Sequence, residues 1–319
     1  MTAACTEDEF VALWNQHGSA AELARILGVG LTNIHSRRRG IERRRGIQLA
    51  GTDRRSPDFQ VLLPANGVRV NVDIGDGVII VGSDAHYWPG LISTAHRAFV
   101  LAVKELKPKM VVMNGDAFDG ASVSRHDRIQ WEARPNVKQE LEAVHDRLHE
   151  IEQVAGNAAM HWTWGNHDMR FNSRLSGYAA QFEGVHGFSL QDHFPRWKFS
   201  TSIMVNGDCM IKHRWHNGIH CSYNNVLKAG TSMVCGHTHS LKVTPYNDYG
   251  PNSRYGVDTG TLAAPTGEQF TYSEDSPANH RSGFAVLTFH KGILMPPELC
   301  QVVDEDAGLI CFRGQVVSV

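Results

Sequence analysis

Disulfide frames, membrane spans and extremes of charge are all missing from this 319-residue sequence. The six cysteines, Cys5, Cys209, Cys221, Cys235, Cys300 and Cys311, are scattered with no Cys-x-x-Cys pair, which excludes a disulfide-stapled scaffold and fits free thiols in a reducing cytoplasm. No apolar run approaches the ~20 residues needed to cross a bilayer, so no membrane partner is expected. The first residues carry Glu7, Asp8 and Glu9 where a signal peptide would be basic and then apolar, and a cytoplasmic protein is expected. A formal net charge of -2 gives the whole chain no attraction for nucleic acid or membrane. Neither an internal repeat nor a low-complexity tract stands out, and the length suits two domains.

Charge is concentrated locally instead. Between residues 25 and 55 stand nine arginines against Glu42 and Asp53, a local net of +7. The same region has helical spacing: Phe10, Leu13 and Trp14 in a first helix; Ser19 capping a second through Ala20, Leu23, Ala24 and Leu27; a turn at Gly28, Val29 and Gly30; and a third helix over Thr32 to Arg39 with Ile34 inward. This resembles a helix-turn-helix, with Ala24 as the small residue that lets two helices approach. Arg37, Arg38, Arg39, Arg43, Arg44 and Arg45 on or beyond the third helix are candidate nucleic-acid contacts, DNA favoured, through phosphate and without readable base specificity. The alternative is a small helical assembly module whose arginines form a solvated face. Residues 1–50 are read as this module, 51–66 as a linker and 67–319 as a second domain that opens with an edge hairpin.

That second domain is organised around apolar runs that each stop at chemistry-bearing residues. Ile79 to Gly82 ends in Ser83, Asp84, Ala85 and His86, and Met110 to Met113 leads to Asn114, Gly115, Asp116 and Asp119. Ala159 to Trp164 leads to Gly165, Asn166, His167 and Asp168; Met210 and Ile211 lead to His213; Met233 to Cys235 lead to Gly236, His237, Thr238 and His239. Such runs read as buried strands, and the carboxyl ends of strands are where open α/β sheets hold ligands. A helix over Leu91 to Leu106 and another over Val137 to Val154 supply crossovers, and strand-like pieces at 241–246, 255–258, 284–289 and 309–312 fit a second sheet.

In order the strand ends spell DxH, GDxxD, GNHD, H and GHTH, and in this the sequence resembles the calcineurin-like metallophosphoesterases over roughly Val78 to Thr259. The resemblance implies an α/β fold, an αββα sandwich of two mixed sheets, with two divalent transition-metal ions at one edge. By that similarity Asp84, His86, Asp116 and His239 would hold one metal and Asp116, Asn166, His213 and His237 the other, with His216 the alternative to His213 because Arg214 stands where many members have Gly. Two cations ~3.5 to 4 Å apart need a shared ligand, for which Asp116 is the natural bridge, and can trap a hydroxide poised for in-line attack on phosphorus. Mixed imidazole and carboxylate ligands favour Mn, with Fe, Zn, Co or Ni as alternatives, over Ca and Mg. In the family the His of GNHD, here His167, protonates the leaving oxygen as general acid and the second Asp of GDxxD, here Asp119, orients it. Asp168 is either a partner to a ligand or a turn residue. Arg125 and His126 are candidates for holding a non-bridging phosphate oxygen.

The substrate is read from departures. Phosphoprotein phosphatases extend the second motif to GDxxDRG and the third to GNHE, whereas here Gly120 and Ala121 follow Asp119 and Asp168 ends the third. The pattern looks closer to the phosphodiesterase and Mre11-like side, without a large ATPase-docking region, and like metallophosphoesterases often found in bacteriophage genomes. With the arginine-rich module, a phosphodiesterase or nuclease acting on nucleic acid is the expected function. Two alternatives stand beside it: a phosphatase or phosphodiesterase of nucleotides or phosphoproteins with the module used for assembly, and a DNA-binding regulator with a vestigial metal domain. The polar stretch Thr266 to Ser282 is expected to overhang the site, although nothing in its composition shows that.

Overall fold

The computed structural model describes residues 5–47, 49, 69–126, 134–250, 252–273 and 279–319, and the chain divides into two compact units, residues 1–65 and 66–319. The stretch read as a linker, 51–66, lies outside the described residues.

In the first unit, α1 (Glu7–His17), α2 (Ala20–Leu27) and α3 (Leu31–Arg45) follow one another closely. Thr6 caps α1 in a reciprocal box with Glu9, Ser19 caps α2, and Gly18 and Gly28 end these helices at left-handed φ of 59° and 62°. Phe10, Trp14, Leu23, Ile34, Ile41 and Leu49 bury one core among them. The third helix outruns the expected Thr32 to Arg39: Ile41 shares the buried face of Ile34, and packing carries the helix through Gly40 to Arg45.

The second unit holds two mixed sheets. In the nine-stranded one, β2 (Gly77–Gly82), β3 (Met110–Met113), β4 (Ala159–Thr163) and β5 (Lys198–Ser200) run parallel. On the other side of β2 lie β11 (Gly283–His290), β13 (Glu298–Asp304), β14 (Leu309–Phe312) and β15 (Gln315–Ser318), all antiparallel, with β12 (Ile293–Leu294) against β11. The six-stranded sheet runs β1 (Arg69–Val72), β6 (Ser202–Val205), β7 (Cys209–Ile211), β8 (Ser232–Cys235), β10 (Arg254–Thr259), β9 (Leu241–Tyr246).

Period-two alternation fixes the layers, because strands buried on both faces must be apolar on both. Ile80, Val111, Met113 and Trp162 share a core with Phe99 and Val103 of α4 (Thr94–Leu106) and with Val144, Leu148 and Ile151 of α5 (Val137–Val154). Their neighbours Ile79, Val81, Met110 and Val112 turn the other way and meet Ile203, Val205, Ile211, Val234 and Val257 between the sheets. On the far side of the six-stranded sheet, α7 (Cys221–Ala229) packs on β8, β9 and β10. The result is the expected αββα sandwich.

Three local expectations are corrected. The described part of the expected edge hairpin, residues 69–77, forms none: β1 pairs parallel with β6, and Gly75 and Asp76 carry the chain to the other sheet, a turn that the Asn206 amide pins by bonding both the N–H and the C=O of Ile74. The strands after GHTH build no sheet of their own; β9 and β10 complete one sheet and β11 to β15 the other. The crossover helix starts at Thr94 rather than Leu91, because Ser93 accepts from the His96 amide and caps it.

One buried acid ties α5 to the loop after β3. Glu140 is fully buried, its Oε1 accepts from the Ala121 amide at 3.0 Å, and the amides of Gly120 and Ser122 face the same group. Burial pushes this carboxyl up to about 7, above its ordinary value of 4.5. A raised folded-state value means stability that is fully present below the unfolded value and lost as pH rises through the folded one. Between pH 5 and 8 the wild type is therefore expected to lose on the order of 2 kcal/mol of unfolding free energy that Glu140→Gln keeps. Urea unfolding at several pH values measures this, and parallel pH profiles for the two proteins would contradict it.

Candidate metal centre

Five strand ends, three from one sheet and two from the other, deliver side chains to one place. Asp84 and His86 follow β2, Asp116 and Asp119 follow β3, and Asn166 and His167 follow β4; His213 follows β7, and His237 and His239 follow β8. The backbone bends sharply to aim them. Asp84, His86, Asp116, His237 and His239 all hold left-handed φ, from 41° to 71°, a region that non-glycine residues avoid and that concentrates at functional sites.

The resulting groups are tight. Candidate ligand atoms of Asp84, His86 and His239 lie within 4.8 Å of one another, as do those of Asp116, His213 and His237, and those of His86, Asp116 and His167. Asp84 Oδ1 is 3.2 Å from His239 Nε2 and 4.0 Å from His213 Nε2, while Asp116 Oδ2 is 3.0 Å from the same His213 nitrogen. Each carboxylate spends its other oxygen on the scaffold: Asp84 Oδ2 accepts from the His237 amide and Asp116 Oδ1 from the His167 amide. His213 Nδ1 donates to the Asn114 carbonyl at 2.8 Å, which fixes its tautomer and leaves Nε2 for the centre.

Whether these residues fit metal ions is tested by what they lack. Asp84 Oδ1, His86 Nε2, Asn166 Oδ1, His213 Nε2 and His239 Nδ1 are buried and make no hydrogen bond, although buried polar atoms are nearly always paired. Oxygen and imidazole donors clustered in that state fit transition-metal cations. The electrostatics point the same way. Burial raises the Asp84 carboxyl, yet the rings of His239 and His213 bring it down to about 2. Burial likewise opposes ionisation of Asp116, and His213 and His167 hold it well below the usual carboxylate range. His237 goes the other way, lowered to about 4 by burial and by the charge of His213, which keeps its ring neutral and able to ligate.

His167 is bound differently. Its Nδ1 lies 2.9 Å from Asp119 Oδ1, an oxygen that His86 Nδ1 also reaches at 2.8 Å. One carboxylate thus orients two imidazoles, both with Nε2 turned away from it. Asp168 resolves to a brace: its oxygens accept from the amides of Asp116, Phe118 and Gly165 and from the Trp162 indole, locking the GDxxD loop to the GNHD loop.

All seven residues read as ligands, with His167 and Asp119, are brought together. His216 stands apart, its amide bonded to Asn225 and its ring against Trp215. Arg125 and His126 lie on an exposed stretch with local contacts, His126 to Ser124 and Arg134. Sequence reasoning missed Arg170, whose guanidinium donates to the Asp119 carbonyl at 2.9 Å and to His167 Nε2 at 3.1 Å; its place one helical turn after His167 was the available signal. It also missed Phe270, packed on His86 and His239, and His280, whose ring is 4.4 Å from His239, both in the stretch expected to overhang the site.

The family model for the calcineurin-like phosphoesterases matches residues 77–249. The chain belongs to that family. As a calcineurin-like phosphoesterase it is a member of a group of metal-dependent phosphoester hydrolases, and the buried donors described above fit a metal site. The gene 54 protein of Mycobacterium phage L5 is 28% identical over 242 residues, covering 70% of this chain and 92% of the phage protein. The gene 54 protein of Mycobacterium phage D29 is 26% identical over 225 residues, 65% of this chain and 87% of that protein. Among solved structures, Vps29 from Entamoeba histolytica complexed with zinc aligns at 13% identity and a TM-score of 0.39, covering 75% of this chain and 98% of Vps29. The phosphoesterase YfcE from E. coli aligns at 14% identity and a TM-score of 0.33, covering 69% of this chain and 97% of YfcE. Among the described residues no helix is long and apolar enough to cross a membrane.

Gly165 shows how little slack the centre has. A Cβ there would collide with the Asp116 carboxylate and amide nitrogen, so any side chain must displace the backbone that aims Asp116. Gly165→Ala is expected to weaken manganese binding at least tenfold by titration calorimetry while the far-ultraviolet circular dichroism stays native. Unchanged affinity in a folded variant would contradict the role given to Asp116.

Proposed function

We propose that this protein is a metal-dependent phosphodiesterase that cleaves nucleic acid, using two divalent transition-metal ions, manganese first among them. The observation that carries the reading is the grouping of His167, Asp119 and Arg170 beside seven donor residues, five of which have a buried atom that lacks a partner. When bound, the metals supply Lewis acidity toward phosphoryl oxygens and lower the pKa of water. Asp84, His86, Asp116 and His239 would hold one, and Asp116, Asn166, His213 and His237 the other.

The chain's own residues do the rest. His167 would give an Nε2 proton to the leaving oxygen once the substrate phosphate draws Arg170 off that nitrogen; burial opposes the charged ring, while Asp116 and the Asp119 carboxylate that holds Nδ1 favour it. Arg170 donates from a planar fork and is placed to steady a phosphoryl oxygen next to that acid.

The nucleic-acid part rests on the first unit. Its α2 and α3 are joined by three residues, as in a helix-turn-helix, and α3 exposes Thr32, Asn33, His35, Ser36, Arg39 and Arg43. The six arginines divide, however. Arg37 binds the Cys5 carbonyl and lies over Phe10, Arg38 lies over Trp14 and bonds Glu42 and the Leu49 carbonyl, and Arg44 and Arg45 pair with Glu7 and Asp8. That self-neutralisation favours the second reading, hydrolysis of small phosphoesters with the first unit used for assembly.

A panel of bis- and mono-p-nitrophenyl phosphate with single- and double-stranded DNA and RNA, run with manganese, separates the two. The account expects faster turnover of the diester than the monoester and cleavage of at least one nucleic acid; intact nucleic acid under every metal, beside rapid hydrolysis of free nucleotides, selects the second reading. His167→Ala should lose about 10² to 10⁴ in kcat on a diester with an alkyl leaving group and far less when p-nitrophenolate leaves, since that anion needs no proton. Equal losses on both would remove the general-acid role. For DNA binding, neutralising Arg39 and Arg43 together should lower the slope of log K against log salt by about two, whereas neutralising Arg44 and Arg45 should change it by less than one.

A further inference from the structure

The helix that begins at the GNHD motif continues outward as a row of cations and an aromatic ring. In α6 (Asp168–Tyr178), Arg170, Arg174 and Tyr178 are spaced four residues apart and so share one face, about 6 Å of helix axis between each pair and about 12 Å in all. Arg170 touches His167 and the Asp119 carbonyl, while Asp168 and Phe171 on the other side of the helix are buried. Arg174 is exposed, and among the described residues no carboxylate pairs with it. Its guanidinium instead lies 4.3 Å from the centre of the Tyr178 ring, which is 76% exposed.

Here an arginine with no paired carboxylate among the described residues and an exposed ring stand in line with the proposed acid of the reaction. We propose that this face of α6 is the binding track for the leaving strand of a single-stranded nucleic-acid substrate. The inference rests on the nucleic-acid reading above and gives it a substrate class. Arg170 takes an oxygen of the phosphate being cleaved, Arg174 takes the next phosphate on the side that His167 protonates, and Tyr178 stacks on an unpaired base through the ring face that Arg174 leaves open. A duplex offers no unpaired base to Tyr178, so the track selects single strands, ends or gaps. A mononucleotide or a p-nitrophenyl ester is too short to reach Arg174.

The test compares a short single-stranded oligonucleotide with bis-p-nitrophenyl phosphate, in the full chain with manganese. Arg174→Ala and Tyr178→Ala are each expected to lower the ratio of kcat/KM for the oligonucleotide to that for the small diester about tenfold, mainly through KM, and the double variant about a hundredfold. Tyr178→Phe, which keeps the ring, and Arg174→Lys, which keeps the charge, should hold the ratio within about threefold of wild type. Both side chains are exposed, so misfolding is not at issue. A wild type that cleaves the oligonucleotide with a ratio unmoved in the double variant overturns the track alone. A wild type that hydrolyses the small diester and leaves every oligonucleotide intact overturns the nucleic-acid reading, and the track with it.

Discussion

Two buried aspartates, one of them with an oxygen that no protein group bonds, set the terms for the rest of the second unit. Asp84 and Asp116 raise each other's cost of ionisation, burial raises it further, and only the imidazoles around them keep both charged. Those imidazoles are themselves incomplete, with ring nitrogens of His86, His213 and His239 buried and unbonded. Buried charge is tolerated when paired or when it coordinates metal, and the proposed pair of cations would relieve carboxylate repulsion and orphaned nitrogens in one step.

The architecture follows from that demand. Ligands from separate segments meet only where strands end together, so the parallel strands of one sheet and β7 and β8 of the other bring their carboxyl ends to one spot. Small residues and hidden acids then hold tolerances. Gly165 and Gly236 leave room for Asp116 and Asp84 where any Cβ would strike the carboxylate, and Asp168 gathers three amide N–H groups from two loops and the indole N–H of Trp162 on β4. Asp258 does the same for GHTH, accepting from Thr238, Ser240 and Cys221 between and beside His237 and His239. The left-handed φ shared by five of the clustered residues is the backbone's share of this cost.

Much of this was legible in the sequence because it is local. An apolar run followed by Asp, His or Asn is visible in ten residues, and α5, read from its alternating charges, lies at its expected bounds. What was not legible is what depends on distant partners. Gly75 and Gly77 announce a turn, but only the pairing of β1 with β6 shows that it links two sheets. Arg170 meets Asp119 only through folding, and His280 has no ligand-like neighbours in the chain yet packs on His239. Net charge misled in the first unit for the same reason. The arginines of α3 sum to a basic patch on paper, while Glu7, Asp8, Phe10 and Trp14 of α1 occupy four of them.

The claim on which everything turns is that seven side chains from five strand ends enclose two cations sharing Asp116. Diffraction from manganese-loaded crystals, collected above and below the manganese absorption edge, reads this directly. The account predicts two anomalous peaks, one among Asp84, His86 and His239, the other among Asn166, His213 and His237, with Asp116 reaching both. A map with no peak there, or with a single peak that Asp116 does not contact, would contradict it.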